Sequence, residues 1–149
     1  MTTTRRTDLV NRLETALQQM RRAKFSGAEA CQLRPAERYL LTVIGRLEDA
    51  GDVTPTEVAG AMGITHAAVT HHLNTLEKSG HIERVMAPDD RRTVHIHLTP
   101  AGQTIAAAHR AEFHGLIQYL GEGDVLTLIA LLDKISTYIQ HTARNAKGN

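Results

Sequence analysis

A single cysteine, Cys31, leaves this chain without an intrachain disulfide framework. No apolar run approaches the roughly 18 residues that a membrane-crossing helix needs, and no leader-like charged-then-apolar start is present. A cytoplasmic protein with no membrane partner is therefore expected. Catalytic signatures are missing as well: there is no Gly-x-Ser-x-Gly turn, no His-Glu-x-x-His pair, no phosphate loop and no glycine-rich dinucleotide turn. Asp89-Asp90 is a carboxylate pair, but beside arginines on a polar loop it is better suited to orienting them than to acid–base work. No enzyme and no cofactor is expected. Tryptophan is absent, and Phe25, Tyr39, Phe113 and Tyr119 are the only aromatic residues outside the C-terminal helix.

Excess charge is missing too, with 17 Lys and Arg against 16 Asp and Glu for a net +1. Its distribution is uneven. Residues 51–99 hold four basic residues (Lys78, Arg84, Arg91, Arg92) against six acidic ones, and also six of the nine histidines. What is present is a sizeable apolar fraction, 42% of 149 residues, enough for one domain with a core.

The densest local information lies between Thr54 and Leu98. Thr54-Pro55-Thr56-Glu57 is a helix start: Thr54 caps, Pro55 suits the first helical position, and Glu57 can bond back to the Thr54 amide. Val58, Ala59 and Met62 face inward, and Gly63 allows the left-handed turn to the next helix. Thr65 caps that second helix, expected over His66 to Lys78, where Val69, Leu73 and Leu76 share one buried stripe. The opposite face carries His66, Ala67, Thr70, His71 and Asn74. These are short or planar hydrogen-bonding groups around an alanine, able to reach base edges in a major groove.

After Gly80 the period changes from helical to alternating. Ile82, Arg84 and Met86 alternate with His81, Glu83 and Val85. A polar loop, Pro88-Asp89-Asp90-Arg91-Arg92, follows, and then the alternating strand Val94-His95-Ile96-His97-Leu98. This predicts a hairpin whose tip arginines suit phosphates or a narrow minor groove. Asp90, two residues before Arg92, is expected to hold the Arg92 side chain extended.

The order Leu76-Glu77-Lys78-Ser79-Gly80-His81-Ile82-Glu83-Arg84, then Asp90-Arg91-Arg92 and Leu98-Thr99-Pro100-Ala101-Gly102, resembles the MarR family of winged-helix transcription regulators. The resemblance spans nearly the whole chain. It implies a mainly α fold with a small β-hairpin wing, a winged helix-turn-helix with flanking dimerisation helices. It also implies that the helix matching His66 to Lys78 enters the major groove and that Arg92, positioned by Asp90, enters the minor groove. Many members carry a basic residue on the recognition helix where this chain has His71 and His72. The DNA-contacting set is therefore Thr65, His66, Ala67, Thr70, His71, Asn74, Arg84, Asp90, Arg91 and Arg92.

Outside the module, Leu9, Leu13 and Leu17 form a stripe on a helix expected from Asp8 to about Lys24, after an N-terminal stretch to Thr7 expected to lack fixed structure. A helix should start at Pro35 and end near Ala50-Gly51. Thr99-Pro100 should start another that runs to about Leu120. Gly121 to Asp124 reads as a break before a last helix over Val125 to Arg144, too apolar for one narrow stripe. One domain, 1–149, is expected, with 8–24 and 121–145 as dimerisation helices, 35–99 as the reading module and 100–120 as a connecting helix. Leu128, Leu132, Ile135 and Ile139 should pair with a second copy, giving a homodimer on a pseudo-palindromic operator with half-sites about 10 base pairs apart.

Four modulators come into question for this layout. The family implies a small-molecule effector in a cleft between the dimer helices and the reading head. Cys31, His109 and Glu112 resemble a partial zinc set, with solvated or core side chains as the plainer reading, so no metal is assigned. Cys31 beside Arg34 could sense peroxide, although no second cysteine is available to it. The six clustered histidines gain positive charge on mild acidification, which should raise operator affinity. The rival from another class is a winged-helix module for protein interaction, supported by the acidic balance of residues 51–99.

Overall fold

The computed structural model describes residues 2–22 and 32–147. Along them run helices α1 (Thr2–Arg22), α2 (Pro35–Glu48), α3 (Pro55–Met62) and α4 (His66–Lys78). Strands β1 (Ile82–Met86) and β2 (Val94–Leu98) follow, then helices α5 (Pro100–Leu120) and α6 (Glu122–Lys147). The protein is mainly α with a small antiparallel hairpin, as expected. Contacts group the chain into two compact units, Met1–Ala106 and Ala107–Asn149.

In the first unit, one core is enclosed by α2, α3, α4, the hairpin and the start of α5. Leu41 and Ile44 of α2, Val58 of α3, Leu73 and Leu76 of α4 and Ile96 of β2 are wholly removed from solvent. Each such side chain contributes about 1.5–3 kcal/mol of burial. Polar faces of the same helices stay outward, so the core sits beneath the exposed side of α4 and holds it up.

The hairpin register pairs Ile82 with Leu98, Arg84 with Ile96 and Met86 with Val94. Its base is in the core and its far end is in solvent: Ile82 is 2% exposed and Met86 63%. A third backbone edge joins it, where the Ile96 amide donates to the Val53 carbonyl at 2.8 Å. At the other end of β2, Thr99 caps α5. Its Oγ1 accepts from the Gly102 amide and donates to the Gly80 carbonyl at 2.7 Å, tying the exit of the wing to the exit of α4.

Helix boundaries differ from the expectations at both ends of the chain. The segment Thr2 to Thr7 is helical and continuous with α1, because four threonines and two arginines do not interrupt a helix that the following apolar stripe sustains. In the second unit the break is Gly121 alone, at φ 80°, while Glu122 and Asp124 form the first turn of α6 where acidic groups favour a helix start. The last helix therefore begins three residues earlier than expected. No single helix among the described residues is long and apolar enough to cross a membrane.

Candidate nucleic-acid interface

The reading surface is assembled from local caps. Thr54 Oγ1 accepts the Glu57 amide at 3.3 Å, and Glu57 Oε2 accepts both the Thr54 amide and its hydroxyl at 2.8 Å. Bonding to the Thr54 hydroxyl, and next to its amide, holds the Glu57 carboxyl below its ordinary value. Gly63 ends α3 in the left-handed region at φ 64°, ψ 32°. Thr65 restarts the chain as α4, its Oγ1 accepting the Ala68 amide at 3.2 Å.

Helix α4 then divides as its spacing requires. Val69, Leu73 and Leu76 are buried, while Thr65, His66, Ala67, Thr70, His71 and Asn74 are exposed. His72 turns away from His71 and is half-buried, with Nδ1 3.9 Å from Glu37 Oε1 of α2. The six histidines of this module thus fall into distinct groups. His66 and His71 lie on the open face, and His81 meets the Ser79 hydroxyl at 2.7 Å. The other three face carboxylates, His95 lying 3.3 Å from Asp52 and His97 3.3 Å from Glu48.

Arginine placement separates two roles that the sequence alone had merged. Arg91 and Arg92 are exposed at the tip of the wing. Arg84, at mid-strand in β1, has its guanidinium directed to Glu77 and to Asn74 Oδ1, both on α4. Asp90 differs from expectation in what it holds. Its Oδ1 accepts the backbone amide of Arg92 at 2.9 Å and its Oδ2 the Thr93 hydroxyl at 3.0 Å, so it shapes the turn and sets where the Arg92 side chain departs. A carboxylate two residues upstream reaches that amide more readily than a long guanidinium, the geometry of an Asx turn. Arg92 also borders an open concavity of about 390 Å³ with Thr54, Thr56 and Val94, between the start of α3 and the wing.

Cys31 falls outside the described residues, while His109 and Glu112 sit half-buried on α5, the His109 ring 5.1 Å from that of Phe113. Among the described residues, no three His, Cys, Asp or Glu side chains converge as metal ligands. Leu9, Leu13 and Leu17 on α1 are 44–60% exposed, and Leu128, Leu132, Ile135 and Ile139 on α6 are 40–57% exposed. Sequence reasoning missed the carboxylate anchors of the wing. Glu48 Oε1 accepts the Leu98 amide across 50 positions, a pairing that no local pattern announces.

Comparison with known proteins places these features in a family. Residues 32–93 match the sequence profile described as the MarR family. The multiple antibiotic resistance protein MarR of Salmonella typhimurium is 35% identical over 98 residues, covering 62% of this chain and 68% of that protein. An uncharacterized HTH-type transcriptional regulator of Bacillus subtilis, YsmB, is 30% identical over 95 residues, covering 64% and 65%. The matched segments thus span about two thirds of these relatives. Among solved structures, FabT of Streptococcus pneumoniae in complex with DNA is similar with a TM-score of 0.61 and 27% identity, covering 93% of this chain and 97% of that one. A MarR mutant from E. coli complexed with operator DNA gives 0.60 and 26%, covering 86% and 93%.

Proposed function

Because the chain belongs to the MarR family of transcriptional regulators, we propose that it is a sequence-specific DNA-binding regulator, acting as a dimeric repressor in the cytoplasm and released by a small-molecule effector. Helix α4 reads a major groove through residues from Thr65 to Asn74, and Arg92 enters the adjacent minor groove from a turn shaped by Asp90. The observation that carries this reading is the pairing, in one compact unit, of an exposed polar α4 face over a fully buried stripe with a hairpin that ends in two exposed arginines. Solved relatives in complex with DNA support it.

The acidic balance of residues 51–99 loses its force as an argument for a protein-interaction module. Asp52 faces His95, Glu57 closes a helix cap, Glu77 holds Arg84 and Asp90 shapes the wing turn. These carboxylates serve the scaffold and leave the arginine tip to meet phosphates. No catalytic role is assigned. The exposed apolar faces of α1 and α6 are the dimerisation surface, since patches of this kind mark association sites in soluble proteins. An effector acts by favouring a dimer whose two α4 helices are wrongly spaced for one duplex.

The test is a salt titration of binding to DNA upstream of its own gene and to random duplex. A site bound about a thousandfold or more tighter than random duplex is expected. Equal affinity for both would leave only non-specific binding and overturn the reading.

A further inference from the structure

Asn74 on α4 and Arg84 on β1 lie ten positions apart, yet Arg84 Nη2 donates to Asn74 Oδ1 at 2.9 Å. The other terminal nitrogen, Nη1, donates to Glu77 Oε2, three residues beyond Asn74 on the same helix. A guanidinium has donors and no acceptor, so the Asn74 atom that faces it has to be the carbonyl oxygen. The amide nitrogen is then the end that does not face Arg84, on a residue that shares the exposed side of α4 with Ala67, Thr70 and His71. Arg84 is only 25% exposed, and its charge-assisted bond to Glu77 keeps the guanidinium where it is.

An asparagine reads adenine by presenting both ends together, oxygen to the N6 amino group and nitrogen to N7. Arg84 takes one lone pair of Oδ1 and, as a charged donor, fixes the amide plane, which disfavours turning that oxygen toward a base edge as well. The NH₂ group still carries two hydrogens, which match the adjacent acceptors O6 and N7 of guanine. At adenine, one of those hydrogens would meet the N6 amino group, donor against donor.

Resting on the reading of α4 as the groove-entering helix, we propose that Asn74 is a donor-only specificity residue, oriented by Arg84 and Glu77, that selects guanine over adenine in the operator. Arg84 is accordingly a positioning residue: it acts through Asn74 and leaves phosphate contact to the wing tip.

Affinity selection from a random duplex library, with sequencing of the bound fraction, tests this for the wild type and for Asn74→Ala, Arg84→Met and Glu77→Ala. One position in each half-site should lose its base preference in Asn74→Ala, and the wild type should favour guanine over adenine there. Arg84→Met frees the carbonyl and should move that ratio toward adenine by roughly fivefold or more, the scale of one bidentate contact. Glu77→Ala should move it in the same direction with the guanidinium retained, which covers a failure of Arg84→Met to fold. Adenine preferred by the wild type, no position altered by Asn74→Ala, or an unchanged ratio in the Arg84 and Glu77 variants would overturn the proposal and leave the DNA-reading role intact. A wild type that enriches no sequence would overturn both.

Discussion

His97 Nδ1 lies 3.3 Å from Glu48 Oε1, and that same oxygen accepts the Leu98 amide at 3.1 Å. The second wing strand is thereby pinned to the end of α2. Two residues earlier, His95 faces Asp52, and between them the Ile96 amide is bonded to Val53. Anchors on successive residues of one short strand set the angle at which the hairpin leaves the core. Through that angle they set the span between α4 and Arg92 that a duplex would meet.

Glu48→Ala should remove the side-chain acceptor from this anchor. The partly buried Leu98 amide would be left without an acceptor, at a cost of about 1–3 kcal/mol. Glu48→Gln keeps a side-chain oxygen and should cost less. Urea unfolding of the three proteins measures both, and an alanine variant as stable as the wild type would show that the bond contributes nothing to the fold.

Glu57 gives stability an acid-sensitive component. Its folded-state carboxyl sits below the ordinary glutamate value because the Thr54 hydroxyl and amide bond to the charged form. A depressed folded value means that the contribution is complete above the ordinary glutamate range and is lost as pH falls through the folded value. The advantage of the wild type over Glu57→Ala should therefore be largest near neutrality and shrink by about pH 3. Denaturant midpoints at the two pH values check the sign, and an advantage that grows on acidification would contradict it.

Caps and turns were legible in the chain because their chemistry is local. Thr54, Pro55 and Glu57 interact within four consecutive positions, Gly63 is needed where φ turns positive, and the Val69, Leu73, Leu76 stripe follows from helical geometry alone. What stayed hidden was long-range or subtle. Val53 is a lone apolar residue between polar neighbours, too short for any period, yet it forms a third edge on the sheet. Arg84 reads in the sequence as one more DNA-contacting residue, and only the folded placement of β1 beside α4 turns its guanidinium to Asn74 and Glu77. The Asp90 to Arg92 link was correctly placed in sequence but assigned to the wrong group, the guanidinium instead of the amide.

Gly102 should tolerate no side chain. A Cβ built there overlaps the His81 carbonyl oxygen, which is backbone already bonded to the Thr99 amide, and comes within 3.4 Å of Leu98 Cδ2. Neither neighbour can move without shifting the exit of the wing. Overpacking of this kind costs about 1–3 kcal/mol, so Gly102→Ala should unfold at lower urea than Gly115→Ala, where a Cβ meets open space. Equal midpoints would mean that the start of α5 packs less closely against His81.

Arg92→Ala and Thr70→Ala should separate affinity from discrimination. Losing the wing cation should weaken binding to operator and random duplex alike and lower the salt slope by about 1. Thr70→Ala removes a neutral group on the exposed α4 face and should reduce only the preference for operator, by about 1–3 kcal/mol if it contacts a base edge. Fluorescence anisotropy across a salt series measures both. A Thr70 variant with the salt response expected for Arg92→Ala would place α4 along the phosphates, outside the groove.

Leu132→Asp tests the association that operator geometry requires. Leu128, Leu132 and Ile135 fall on one side of α6 at spacings of four and three, each 40–52% exposed. Facing a second copy, each could bury enough surface to contribute on the order of 1.5–3 kcal/mol, and a carboxylate in the middle of that face would have to be desolvated without a partner. The variant should sediment as a monomer and bind operator far more weakly, because each half-site is then held by a separate molecule. Lys134→Asp, two positions on and therefore on a different side of the helix, should remain a dimer with near-normal affinity. A dimer that survives Leu132→Asp unchanged would move the interface off this face of α6, and a monomeric wild type at micromolar concentration would remove the dimer altogether.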